Sequence, residues 1–198
     1  MKKAIFIFLL IFILFCPKKI SSLKQEKYQQ TDIIGYIEIP NTDINTPIVQ
    51  SSDNVFYLDH NIQKQQDIKG SIFLDYRNNL SDQKLLIYGH NSKNGDAPLK
   101  TLENYLDKNY YDDHPFIKLM IDDKTYDYKI FSIIVTNTNV HTKINFKAEE
   151  YIAHLNWLKN HSIYQINIPV YNNDFIITIQ TCIFDPENHY LIISAKRS

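Results

Sequence analysis

The run Phe175–Cys182, Phe-Ile-Ile-Thr-Ile-Gln-Thr-Cys, constrains this chain more than any other stretch. As a strand it sends Phe175, Ile177 and Ile179 to one side and Thr178, Gln180 and Cys182 to the other. The apolar set must face a core. Cys182 then points outward at the strand's C-terminal end, just before the turn Asp185-Pro186-Glu187-Asn188. A free cysteine is most often buried as a small apolar group; one on the outward parity is within reach of a substrate.

The other cysteine, Cys16, lies in a hydrophobic leader, so the folded part has no internal disulfide. Lys2 and Lys3 precede the uncharged run Ala4–Cys16, and Pro17, Lys18 and Lys19 close it. That run is short of the roughly 20 residues that cross a bilayer unaided. It suits a signal-peptide core or a tilted, snorkelled anchor. Phe15 argues against lipid attachment at Cys16, and the reading favours an uncleaved membrane anchor. The chain therefore divides into an anchor or signal segment (1–22), a polar linker (23–32) and one domain (33–198). A net charge of −1 excludes the broad basic surface that binds nucleic acid.

Within that domain the pattern predicts strands over Ile33–Ile39, Ile44–Gln50, Ser71–Arg77, Lys84–His90, Phe116–Ile121, Tyr126–Thr136, Phe175–Cys182 and Tyr190–Lys196. Pro47 marks the second as an edge strand. Leu99, Leu102 and Leu106 predict a helix over Leu99–Lys108, opened by Pro98. Ile152, Leu155 and Leu158 predict another over Ala148–Asn160. There is no alternation of strand and helix, so the fold class is mainly β (α+β). The expected form is a closed eight-stranded barrel with inserted helices.

Two strand ends carry chemistry. His90 stands between Gly89 and Asn91 at the end of the fourth strand, and Cys182 ends the seventh. A cysteine nucleophile needs thiolate character, which a neighbouring imidazolium supplies. Of the seven histidines, His60, His114, His141, His154, His161 and His189 read as surface or packing residues. His and Cys here lack zinc-ligand spacing, and neither a metal nor another cofactor is expected.

These stretches resemble the sortase family, and class B most. The carrying residues are Thr178-Ile179-Gln180-Thr181-Cys182, matching the TLxTC signature, and Tyr88-Gly89-His90-Asn91, matching the histidine motif. Ile34–Pro40, Tyr57–Asn61 and Gly70–Asn78 are further similar stretches, and Ala148–Asn160 looks like a class B insertion. The resemblance implies a cysteine transpeptidase on the outer face of a Gram-positive cell membrane. Cys182 would attack the carbonyl after Thr in a C-terminal sorting signal of a secreted protein, and an amine of peptidoglycan or pilin would resolve the thioacyl intermediate. His90 would shuttle the protons, and Thr181 and Asn91 would contact substrate. The family's arginine on the last strand is missing: Tyr190 occupies its position. The only arginines are Arg77, in another motif, and Arg197, on the inward parity of the last strand. Asp185 reads as a solvated turn carboxylate rather than a modulator of Cys182.

Tyr190 keeps a second class of function open, a catalytically weak binding protein for sorting signals. A papain-like peptidase fits poorly, because that family places Cys before His and puts the Cys on a helix.

Overall fold

The side chains that alternate along each strand sort into two apolar layers, and these set the architecture. The computed structural model describes residues 32–93, 96–184 and 189–198. The leader, nearly all of the linker and the turn 185–188, with Asp185, lie outside the described residues. Eight strands close a barrel: β1 (Ile33–Glu38), β2 (Asn45–Val49), β3 (Phe73–Leu74), β4 (Lys84–Tyr88), β5 (Phe116–Ile121), β6 (Lys124–Thr136), β7 (Ile176–Ile183) and β8 (His189–Arg197). Their order around the barrel is β1-β2-β3-β4-β7-β8-β6-β5, with β5 returning to β1. Ile33–Ser198 forms one compact unit.

Most neighbours are antiparallel, as hairpins and meanders require. The pair that matters for the site, β4 and β7, is parallel, with Tyr88 opposite Gln180. Parallel strands bring like ends together, and the long crossover between them holds β5, β6 and both α-helices.

The inward parities fill the barrel. Ile37, Ile87, Ile117, Leu119, Ile130, Ile133, Ile177, Ile179, Leu191 and Ile193 belong to one buried cluster. The outward face of β6, β7 and β8 is not solvated. There α2 (Ala148–Asn160) lays Tyr151, Leu155 and Leu158 against Phe131, Ile134, Ile176 and Ile192. Leu155 and Leu158 are fully buried, each stabilising by about 1.5–3 kcal/mol. Thr178, on the outward parity, is accordingly fully buried, sharing a 3.1 Å hydrogen bond with Ser194 Oγ. Only toward the strand's end does that face emerge, at Gln180 and Cys182.

Three expectations need correction. The stretch 71–77 is strand only at Phe73–Leu74, because Asp75 turns inward and binds the Arg77 backbone N–H (2.9 Å), while the Tyr76 N–H donates to Asn54 Oδ1 (2.9 Å). The helix over 99–108 is a 3-10 segment, Lys100–Leu106, followed by the short α1 (Lys108–Asp113). Asp107 breaks the run in an extended conformation, and its side chain caps α1 by accepting from the Asn109 N–H at 2.9 Å. β2 is no open edge, since the barrel closes. It meets β3 only at Val49–Phe73, so Pro47 sits where β2 has no second ladder neighbour to miss its N–H.

Candidate active site

The site grows out of the parallel β4/β7 pair. Continuing the Tyr88–Gln180 register by two residues sets His90 level with Cys182. Two hydrogen bonds hold that alignment past the ladder. Thr181 Oγ1 donates to the Gly89 carbonyl (2.8 Å), and Asn91 Nδ2 donates to the Cys182 carbonyl (2.9 Å). Asn91 is braced in turn by Glu103 Oε1 at 2.6 Å. Thr181 is buried and its hydroxyl is committed to Gly89, so the two residues expected to touch substrate, Thr181 and Asn91, bond the barrel frame. Gly89 is required by close approach: a Cβ there would stand 2.7 Å from Leu99 Cδ1.

On the other side, antiparallel β8 sets Tyr190 directly opposite Cys182. His90, Cys182 and Tyr190 share one cleft of about 360 Å³, walled by Asn54, Leu58, Phe73, Tyr88 and Gln180. A larger cavity, about 670 Å³, lies at the far end of the barrel around Gln50, Asn78 and Arg197 and is lined by neither His nor Cys. Among the described residues, no cluster of His, Cys, Asp and Glu has the makings of a metal site.

The cleft contains no arginine. Arg197 lies over Phe175, 4.1 Å from the ring centre, at the far end. Arg77 clamps Asp75 through Nε (2.8 Å) and Nη2 (2.7 Å). Asp75 is fully buried, and burial pushes its carboxyl up; the Arg77 hydrogen bonds and Asn54 outweigh that and hold it below the usual carboxylate range. Asp75 also accepts from Asn54 Nδ2 (3.0 Å) and Tyr88 Oη (3.1 Å), which fixes two walls of the cleft.

The cysteine is exposed. Burial around its sulfur pushes the thiol pKa up, so it rests protonated. The expected histidine–thiolate pairing is absent at rest, because His90 Nε2 donates to the Leu58 carbonyl at 2.8 Å. What remains is a thiol, an imidazole and a phenol facing one cleft.

Sequence reasoning passed over three residues beside the cleft. Gln180 is half-buried in its wall. His141, read as packing, is fully buried with Nε2 2.6 Å from Gln180 Oε1. Lys84, in an apolar strand, is 1% exposed; its ammonium donates to the carbonyls of His141 and of Lys143 (2.8 Å) and to His154 Nε2 (2.9 Å). Gln180 shares the strand parity of Cys182, a signal that could have flagged it.

The chain belongs to the sortase family: the Sortase domain model matches residues 37–198. More narrowly, it is similar to sortase B of Listeria monocytogenes, with 36% identity over 163 residues, covering 80% of this chain and 65% of the relative. Sortase B of Staphylococcus aureus is 31% identical over 156 residues, covering 76% and 63%. The chain thus spans slightly under two thirds of these relatives. The crystal structure of Clostridium perfringens sortase B superposes with a TM-score of 0.78 at 30% identity, covering 84% of this chain and 94% of that one.

Proposed function

We propose that this chain is a class B-like cysteine transpeptidase that joins secreted proteins to a cell-surface amine. The observation that carries the reading is the parallel β4/β7 pair, which sets His90 level with Cys182 in one open cleft. Relatives solved as a Staphylococcus aureus sortase B–substrate complex and as sortase B complexed with triglycine support a sorting-signal donor and an amine acceptor.

The chemistry follows from the groups present. His90 swings from the Leu58 carbonyl and takes the Cys182 proton as sulfur attacks the carbonyl after Thr. The C–N bond then breaks, His90 protonates the departing amine, and a thioester remains on Cys182. An acceptor amine of peptidoglycan or pilin attacks that thioester and gives its proton to His90. The thiolate leaves, and the proton returns to it. Tyr190, opposite Cys182, donates its hydroxyl to the oxyanion in both tetrahedral intermediates. Thr181 and Asn91 keep the two strand ends aligned. The leader, through its uncharged run Ala4–Cys16, holds the chain at the cell membrane with the catalytic domain outside.

The test is product analysis with a panel of Asn-Pro-X-Thr-X peptides plus triglycine. Transfer to triglycine, lost in both Cys182→Ala and His90→Ala, is the expected result. Hydrolysis without transfer would instead mark a peptidase. Tyr190 in the arginine position favours one other reading, a sorting-signal binding protein; peptide binding to wild type without turnover would establish it.

A further inference from the structure

We propose that Gln180 is a substrate-binding hydrogen-bond donor of this cleft and that the buried His141 is the positioning residue that aims it. The inference rests on the transpeptidase reading and deepens it.

The outward face of β7 runs Thr178, Gln180, Cys182. Thr178 is fully buried and Cys182 is open. Gln180 lies between them in the cleft wall, with Oε1 2.6 Å from His141 Nε2. His141 is fully buried, and its Nδ1 has no hydrogen-bond partner among the described residues. A histidine kept for packing alone would have both nitrogens satisfied.

The unpartnered Nδ1 fixes the proton. A neutral imidazole has one N–H, and among the described residues the acceptor in hydrogen-bonding geometry for it is Gln180 Oε1, so Nε2 carries it. The ring stays neutral. Burial lowers its pKa, the Gln180 hydrogen bond offsets part of that, and the nearby Lys84 cation lowers it further. The Thr138 backbone, the smallest of the four influences, raises it, although Nδ1 has no partner in full hydrogen-bonding geometry. Since the amide oxygen faces His141, the amide NH2 faces away from it. Among the described residues that NH2 has no hydrogen-bond partner. A donor group in a half-buried cleft wall, on the same face as Cys182, is placed for a peptide carbonyl.

Two residues along a strand span about 6.6 Å. Gln180 therefore meets an extended substrate about two residues from the scissile carbonyl. Its hydrogen bond anchors the peptide and leaves the oxyanion to other donors. His141 is itself held. Lys84 donates to the His141 and Lys143 carbonyls, and its third acceptor, His154 Nε2, comes from α2. The contacts run from the inserted helix through Lys84 and His141 to the cleft. Where the family uses an arginine, this chain has Tyr190 and no charge, and a second neutral donor strengthens the hold on substrate.

The experiment measures kcat and KM separately across the Asn-Pro-X-Thr-X panel, with melting temperatures and intact-mass detection of the Cys182 thioacyl adduct. Gln180→Glu keeps the size of the side chain and removes the NH2. It should raise KM about tenfold with kcat within about threefold. His141→Phe, which cannot donate, should raise KM in the same way although it does not touch substrate. His141→Gln, whose amide nitrogen reaches the position of Nε2, should recover most of that loss. Unchanged KM in Gln180→Glu overturns the proposal, as does His141→Gln behaving like His141→Phe. If wild type forms no adduct with any peptide, the transpeptidase reading fails and this proposal with it. An adduct in every variant at unchanged KM sinks the Gln180 role alone.

Discussion

Replacing Tyr190 with arginine should raise kcat/KM about tenfold. Tyr190 and Cys182 are directly paired across the β7/β8 ladder, so their Cβ atoms stand about 4.5–5.5 Å apart. The oxyanion forms one bond from the carbon joined to sulfur, and a side chain at 190 long enough to pass Sγ reaches it. The tyrosine hydroxyl has no partner among the described residues, so it is free to donate. A hydrogen bond to a charged group, here the oxyanion, contributes about 1.5–3 kcal/mol. The guanidinium brings a second donor and a positive charge that the phenol lacks, and one further bond at the low end of that range, about 1.5 kcal/mol, is about tenfold at 1.36 kcal/mol per decade. Against this, the Tyr190 ring packs beside the outer apolar cluster. Losing about 1 kcal/mol there lowers Tm by about 2–4 °C in a domain of this size. The assay is kcat/KM with a cleaved fluorogenic peptide from the panel for wild type, Tyr190→Arg and Tyr190→Phe, with Tm for each. Tyr190→Phe should fall about ten- to a hundredfold, the worth of one hydrogen bond to the oxyanion at about 1.5–3 kcal/mol. If Tyr190→Phe matches wild type and Tyr190→Arg gains nothing, the side chain at 190 has no part in stabilising the oxyanion.

Thr181→Val conserves shape but strips the Gly89 carbonyl of its buried donor, so it should cost about 1–3 kcal/mol and lower kcat as His90 and Cys182 lose alignment; thermal melts and steady-state kinetics read both effects. Acid should destabilise the fold well before carboxylates titrate. Burial, then the Lys84 cation, push His154 down to about 3, below its ordinary 6.5. The unfolded chain therefore takes up that proton first, and the His154 contribution to stability is full above pH 6.5 and is lost as pH falls toward 3. His141 acts in the same direction. Melting temperature should drop between about pH 7 and pH 5, and His154→Gln, which keeps an acceptor for Lys84, should flatten that slope; a slope unchanged by the substitution would remove His154 as its source.

Sequence alternation placed Cys182 at the open rim because β7 is amphipathic in the simplest way: Ile177 and Ile179 line the barrel and the thiol emerges beyond them. It put Thr178 on the same outward face but gave no sign of its burial, since parity says which face a residue takes and not what covers that face. That face of β6, β7 and β8 packs against α2, whose own buried set, Tyr151, His154, Leu155 and Leu158, mixes apolar and polar groups. Lys84 was invisible for a related reason. A lysine opening an apolar strand reads as a solvated end, and the acceptors that make its burial tolerable, His141 O and His154 Nε2, lie 57 and 70 residues further on. The loss of strand at Asp75 likewise depends on Asn54, 21 residues earlier. Long-range polar partners of this kind leave no periodic trace.

The central claim, that Cys182 is a nucleophile set beside His90 for acyl transfer, is tested most directly by intact mass of the domain after brief incubation with a sorting peptide. The expected result is a mass increase equal to the peptide fragment ending in Thr less one water, mapped to Cys182, discharged by triglycine and absent in Cys182→Ala. Turnover of the same peptide with no adduct on Cys182, or by Cys182→Ala itself, would contradict it.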